Sequence, residues 1–133
     1  MNYLIISSSL NPKSRSRLLA LIAFNELKNM GVSVEWLDLD DHSIPLCDGD
    51  AWSNIIFGFL CAAGGKASYM SVMSLANSLM LDFRCLIIPR FVYTVSDDFT
   101  EKDITDPKVK TQVKELAKEL IRICTVLNKH SKF

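Results

Sequence analysis

The segment Tyr3-Leu4-Ile5-Ile6-Ser7-Ser8-Ser9-Leu10-Asn11-Pro12-Lys13-Ser14-Arg15-Ser16-Arg17 decides how the rest of the chain is read. Its first four residues are uniformly apolar. Continuous rather than alternating hydrophobicity predicts a strand covered on both faces, as in a parallel sheet. The serines end the strand and a polar loop follows. Leu19, Ala20, Ala23, Phe24, Leu27 and Met30 then recur at helical spacing, with Gly31 where a helix-ending glycine belongs. Val32 to Leu37 reads as a second strand stopped by Asp38. Strand, helix and strand in so short a span make a right-handed βαβ unit with parallel strands.

The same alternation continues downstream. Asp38 to Ser53 carries aspartates, a proline and a glycine but no helical period. Ile55 to Ala63 predicts a strand stopped by Gly64-Gly65, and a helix is expected from about Lys66 to Leu81. Arg84 to Ile88 predicts a further strand, with Pro89 ending it or marking an edge, and Phe91 to Val95 another extended piece. Asp106-Pro107 is a helix start, an N-cap followed by proline at the first helical position. Val109, Val113, Leu116, Ala117, Leu120, Cys124 and Leu127 carry that helix almost to the end, with a frayed tail expected over Lys129 to Phe133. The pattern predicts an α/β sandwich with a mostly parallel sheet, in one domain spanning residues 1–133.

Composition narrows the function. Fifteen Lys and Arg balance fifteen Asp and Glu, so no excess of cations exists to neutralise a run of phosphates, which argues against a nucleic-acid binder. With 49% hydrophobic and 23% charged residues the chain can build a core rather than stay disordered. The stretch 51–81 is interrupted by polar residues and glycines, so no membrane helix is expected. Cys47, Cys61, Cys85 and Cys124 form no regular framework, and no export signal is visible. A reduced, cytoplasmic setting is the expectation.

In parallel sheets ligands sit beyond the carboxyl ends of the strands. The loop Ser7 to Ser16 leaves the first strand there and enters a helix, whose first N–H groups have no intrahelical acceptor. Serine hydroxyls, Asn11, Lys13 and Arg15 surround those donors. Hydroxyls, N–H groups and one or two cations suit the three oxygens of a terminal phosphate. Neither G-x-x-x-x-G-K-[ST] nor G-x-G-x-x-G is present. The plainer alternative is a polar loop in which Ser14 or Ser16 is an ordinary N-cap. Gly64-Gly65 allows close approach of a ligand to the backbone or simply a tight turn, and Lys66 reads as a solvated lysine. His42 beside Asp38, Asp40 and Asp41 reads as a solvated acidic loop rather than a metal site. No nucleophile–base pair stands out, so hydrolysis is not indicated.

Residues Ile5 to Arg17 resemble the opening motif of the NAD(P)H-dependent FMN reductases, which have a flavodoxin-like fold. Ser9, Ser14, Arg15 and Ser16 fall on the motif's phosphate-contacting positions. Ser8 replaces the usual glycine and Asn11 the usual arginine. Cys61 to Tyr69 resembles the family's later loop near the flavin ring, and Pro89 to Tyr93, Asp97 to Phe99 and the last helix fit the same end. The resemblance implies a shortened, flavodoxin-like three-layer sandwich. It implies FMN as cofactor, with its phosphate at Ser9, Asn11, Ser14, Arg15 and Ser16 and its ring toward Gly64, Gly65 and Ser68. It further implies NAD(P)H as hydride donor, with no catalytic side chain required.

One departure is large. Nothing here matches the family's helix, strand and Pro-x-Tyr-Asn loop that cradles the ring. Either the protein is an internally shortened relative or the sequence lacks an internal segment. The alternative function is a non-catalytic, dimerising α/β module that binds phosphate weakly or not at all. A flavodoxin-type electron carrier fits less well, since those are strongly acidic. Finally, the helix after Lys66 is apolar nearly all round, which predicts burial on two sides. One side would cover the sheet and the other would meet a second subunit, and the family implies a homodimer or homotetramer.

Overall fold

The computed structural model describes residues 2–9, 11, 13–39, 55–63, 69–100 and 103–130. The elements run β1 (Asn2–Ser7), α1 (Arg15–Asn29), β2 (Ser33–Asp38), β3 (Ile56–Phe57), β4 (Leu60–Ala62), α2 (Tyr69–Phe83), β5 (Leu86–Ile87), β6 (Val92–Thr94) and α3 (Pro107–His130). The expected βαβ unit is present: β1 and β2 are parallel, in register from Asn2 opposite Ser33 to Ser7 opposite Asp38. Gly31 takes φ +76° after α1, a conformation that costs glycine nothing. Phe24 meets Trp36 edge to face at 5.8 Å and holds α1 to β2.

The strands expected over Ile55–Ala63 and at Arg84–Ile88 and Phe91–Val95 are each shorter than their apolar runs. β3 pairs with β5 and β4 with β6, all parallel. Between the two paired blocks, Gly58 and Phe59 on one side face the longer run Ile88 to Phe91 on the other. Pro89 explains the mismatch. It has no N–H for the ladder, and the chain turns over it with the Arg90 N–H on the Ile88 carbonyl at 2.8 Å. β5 therefore ends before the proline, as expected, and the chain bulges over it on the way to β6. Pairing resumes when the Val92 N–H reaches the Phe59 carbonyl at 3.0 Å.

Leu19 and Ala23 of α1, Ile88 and Val92 beside the bulge, Phe99 and Ile104 of the following loop, and Val109, Val113 and Leu116 of α3 form the main core. A second cluster joins Tyr3, Leu27 and Ala117. Both sets put α1 and α3 against the face of β1 that carries Tyr3, Ile5 and Ser7. The opposite face is not covered as the apolar run predicts: Leu4 is 53% exposed and Ile6 40% exposed. A continuous apolar run reports the chemistry of both faces, but one helix pair on one side suffices to fix the strand.

α2 buries Ala76 and Leu79 while Met70, Leu75, Met80 and Leu81 stay exposed, so burial of that helix wholly within its own chain is ruled out. It starts, among the described residues, at Tyr69 and runs two residues beyond Leu81. α3 remains helical through His130, past the point where fraying is expected. No helix of the described residues is long and apolar enough to cross a membrane.

Candidate functional site: the loop between β1 and α1

The loop is fixed by its own polar groups. The Ser9 hydroxyl accepts the Asn11 N–H at 3.3 Å, the Asn11 side-chain oxygen accepts the Lys13 N–H at 3.0 Å, and the Ser14 N–H donates to the Asn11 carbonyl at 2.9 Å. Ser14 has extended backbone angles and its hydroxyl accepts the Arg17 N–H at 3.0 Å, so it is the N-cap of α1. The plainer reading of Ser14 is thus realised. The cap takes only the third N–H of the helix, however. The N–H groups of Arg15 and Ser16 have no intrahelical acceptor, which is the rule for the first turn. The Ser14 and Ser16 hydroxyl oxygens lie 3.2 Å apart beside them.

These groups open onto a cavity of about 450 Å³. Ser9, Asn11, Lys13, Ser14, Arg15 and Ser16 line one side, and Ala62 and Ala63 at the end of β4 line the other. The β4 end is held by β6: the Ala63 N–H donates to the Thr94 carbonyl at 2.9 Å, and the buried Thr94 hydroxyl donates to the Cys61 carbonyl at 3.0 Å. Two strand ends therefore converge on one space, where open parallel sheets bind ligands. The space lies within the usual range of small-molecule pockets. The donors fit a phosphate group: hydroxyls, two helix N–H groups and an ammonium, with no carboxylate among the described lining residues. Gly64, Gly65, Lys66 and Ser68 lie outside the described residues, directly after the Ala63 wall. Burial pushes the Cys61 thiol up, which favours its protonated form.

The cations of this turn differ in their partners. Arg15 lines the cavity but is already engaged: one guanidinium nitrogen donates to the Ser96 hydroxyl at 2.5 Å, and the group lies 5.8 Å from the centre of the Phe99 ring. Ser96 opens a 3-10 turn, Ser96–Asp98, that follows β6. Nothing in the sequence signals this contact, because its partners are 81 positions apart. Arg17 pairs with Asp38 at 2.7 Å, and the Asp38 side chain is 1% exposed. Asp38 is thus not part of a solvated acidic loop. As the last residue of β2 it sits opposite Ser7 and turns inward, while Asp40, Asp41 and His42 lie outside the described residues.

Comparison with known proteins gives this geometry a likeness. Residues 1–56, which hold β1, the serine loop, α1 and β2, match the family model described as NADPH-dependent FMN reductase. Over that first βαβ unit the chain is similar to the NADPH-dependent FMN reductases. An oxidoreductase from Corynebacterium diphtheriae, solved by X-ray crystallography, is similar over 92% of this chain and 95% of that one, at 12% identity and a TM-score of 0.66. At that identity the likeness shows the fold, which is flavodoxin-like α/β. No curated protein matches the chain. The family match contains the whole crown of hydroxyls and amides, whereas Ala62, Ala63 and the Ser96–Asp98 turn lie beyond it.

Proposed function

We propose that this chain belongs with the NADPH-dependent FMN reductases and is a flavin oxidoreductase that binds FMN by its phosphate at the β1–α1 loop. The observation that carries the reading is the single cavity shared by the serine-rich front of α1 and the end of β4. Ser9, Asn11, Ser14 and Ser16, with the first N–H groups of α1, hold the phosphate oxygens. The Ala62–Ala63 wall leads the isoalloxazine toward Gly64, Gly65 and Ser68. When bound, FMN supplies the acceptor for a hydride from NAD(P)H, and the protein contributes position and electrostatics rather than an acid or base. The chain's own part is to fix the phosphate in a loop already ordered by its internal hydrogen bonds, which lowers the ordering cost of binding. Purified protein is expected to carry or take up a yellow chromophore and to oxidise NADPH when FMN is added. A colourless protein that leaves flavin fluorescence unchanged would instead be the non-catalytic module.

The four exposed apolar side chains Met70, Leu75, Met80 and Leu81, spread around α2 outside its buried Ala76–Leu79 side, support a homodimer or homotetramer formed through that helix. Leu75→Glu with Leu81→Glu should yield monomers by sedimentation velocity. An unchanged sedimentation coefficient in an assembled protein would reject α2 as the contact.

A further inference from the structure

Three cations stand at the opening turn of α1, and contacts among the described residues commit two of them. Arg17 is tied to the buried Asp38 carboxylate. Arg15 is tied to Ser96 and stacked near Phe99. Lys13 lines the cavity and is exposed, and its backbone N–H is fixed by Asn11. Among the described residues no acceptor or carboxylate meets its ammonium. Arg15 also lines the cavity, but turning its guanidinium fully onto a ligand would break a charge-assisted hydrogen bond and withdraw it from an aromatic ring. Bringing Lys13 onto the same ligand breaks no contact among the described residues. Its flexible stem and point charge suit a tetrahedral anion, which needs no planar fork.

We propose that Lys13 is the specificity-determining cation of the site, pairing with the phosphate of FMN, and that Arg15 is a positioning residue that braces the Ser96–Phe99 segment beside the cavity. The assignment rests on the phosphate-site reading above. It also accounts for the position where this loop carries Asn11: the side-chain oxygen of Asn11 holds the backbone of the lysine that provides the charge.

The test compares FMN with riboflavin, which lacks only the phosphate, by fluorescence titration of the full-length protein. Wild-type protein is expected to prefer FMN, with an affinity that falls as salt rises, because the pair is exposed. Lys13→Met should weaken FMN about tenfold, the loss of one charge-assisted contact, and leave riboflavin within about twofold. Lys13→Arg should restore most of the preference. Arg15→Met should affect FMN and riboflavin alike and speed amide hydrogen exchange at residues 96–99. Retention of the full FMN preference by Lys13→Met overturns the assignment, as does its loss in Arg15→Met alone. A wild-type protein that shows no preference for FMN overturns the phosphate site itself, which separates the two failures.

Discussion

Removing the guanidinium from Arg17 should expose the energetic consequence of placing Asp38 inside the protein. Asp38 is 1% exposed and the Arg17 side chain 33% exposed, with 2.7 Å between the paired atoms. Breaking a fully buried ion pair costs about 3–5 kcal/mol, because the remaining charge loses both water and partner. Since the arginine is one-third in solvent, water replaces part of its contribution, and about 2–3 kcal/mol is expected for Arg17→Met. At about 2 cal/mol/K of unfolding entropy per residue, a chain of this length should lose about 7–11 °C in Tm. In urea the midpoint should fall by about 1–2 M with the slope unchanged. The decisive comparison is a double-mutant cycle. With Asn at position 38 no charge remains to be stranded, so Arg17→Met should cost less than about 1 kcal/mol in that background. Equal costs in the two backgrounds would refute the pairing and return Asp38 to the solvated loop that its acidic neighbours suggest.

Other consequences can be checked with the same melts. Ser14→Ala removes the cap and should cost about 1 kcal/mol, whereas Ser14→Asp should keep the cap and Tm but repel FMN. An Ala at position 58 would bring its Cβ to 3.1 Å from Leu116 Cδ1, so Gly58→Ala should cost below about 1 kcal/mol and Gly58→Val about 1–3 kcal/mol, by urea denaturation. Arg84 has φ +56° at the end of α2, where Gly is unstrained, so Arg84→Gly should raise stability by about 0.5–1 kcal/mol. Burial, with Cys124 beside it, pushes the Tyr3 hydroxyl up, and burial pushes the Cys124 thiol up. Both groups are then neutral when folded, so the unfolded chain loses their protons first. Stability should be intact below about pH 8 and decline as pH rises through 9 and above, and Tyr3→Phe should flatten the steeper end of that decline.

The βαβ unit was legible because its signals are local. The apolar run Tyr3–Ile6, the periodic residues of α1 and the positive φ at Gly31 all act within a few residues of themselves. The helix start at Asp106-Pro107 is legible for the same reason, since Asp106 Oδ1 accepts the Lys108 N–H at 2.8 Å. What a run of apolar residues cannot state is how many neighbours will cover it. Leu4 and Ile6 have the same chemistry as Tyr3 and Ile5, and only the placement of α1 and α3 separates them. The bulge at Pro89 likewise depends on the strand beside it.

At the candidate site, the loop's chemistry was readable from composition and position, but its allocation of charges was not. Arg15, Arg17 and Lys13 look equivalent along the chain. Ser96 and Asp38 distinguish them, and both contacts depend on how distant elements pack. Asp38 sits among acidic residues in sequence and beneath an arginine in space, so local charge density pointed the wrong way.

The most direct measurement is an amide-resolved NMR titration of the labelled protein with FMN and, separately, with inorganic phosphate. Shifts centred on the amides of Arg15 and Ser16 with both ligands, extending to Ala62 and Ala63 with FMN alone, are the predicted result. Flavin binding that leaves the front of α1 unperturbed would contradict the account.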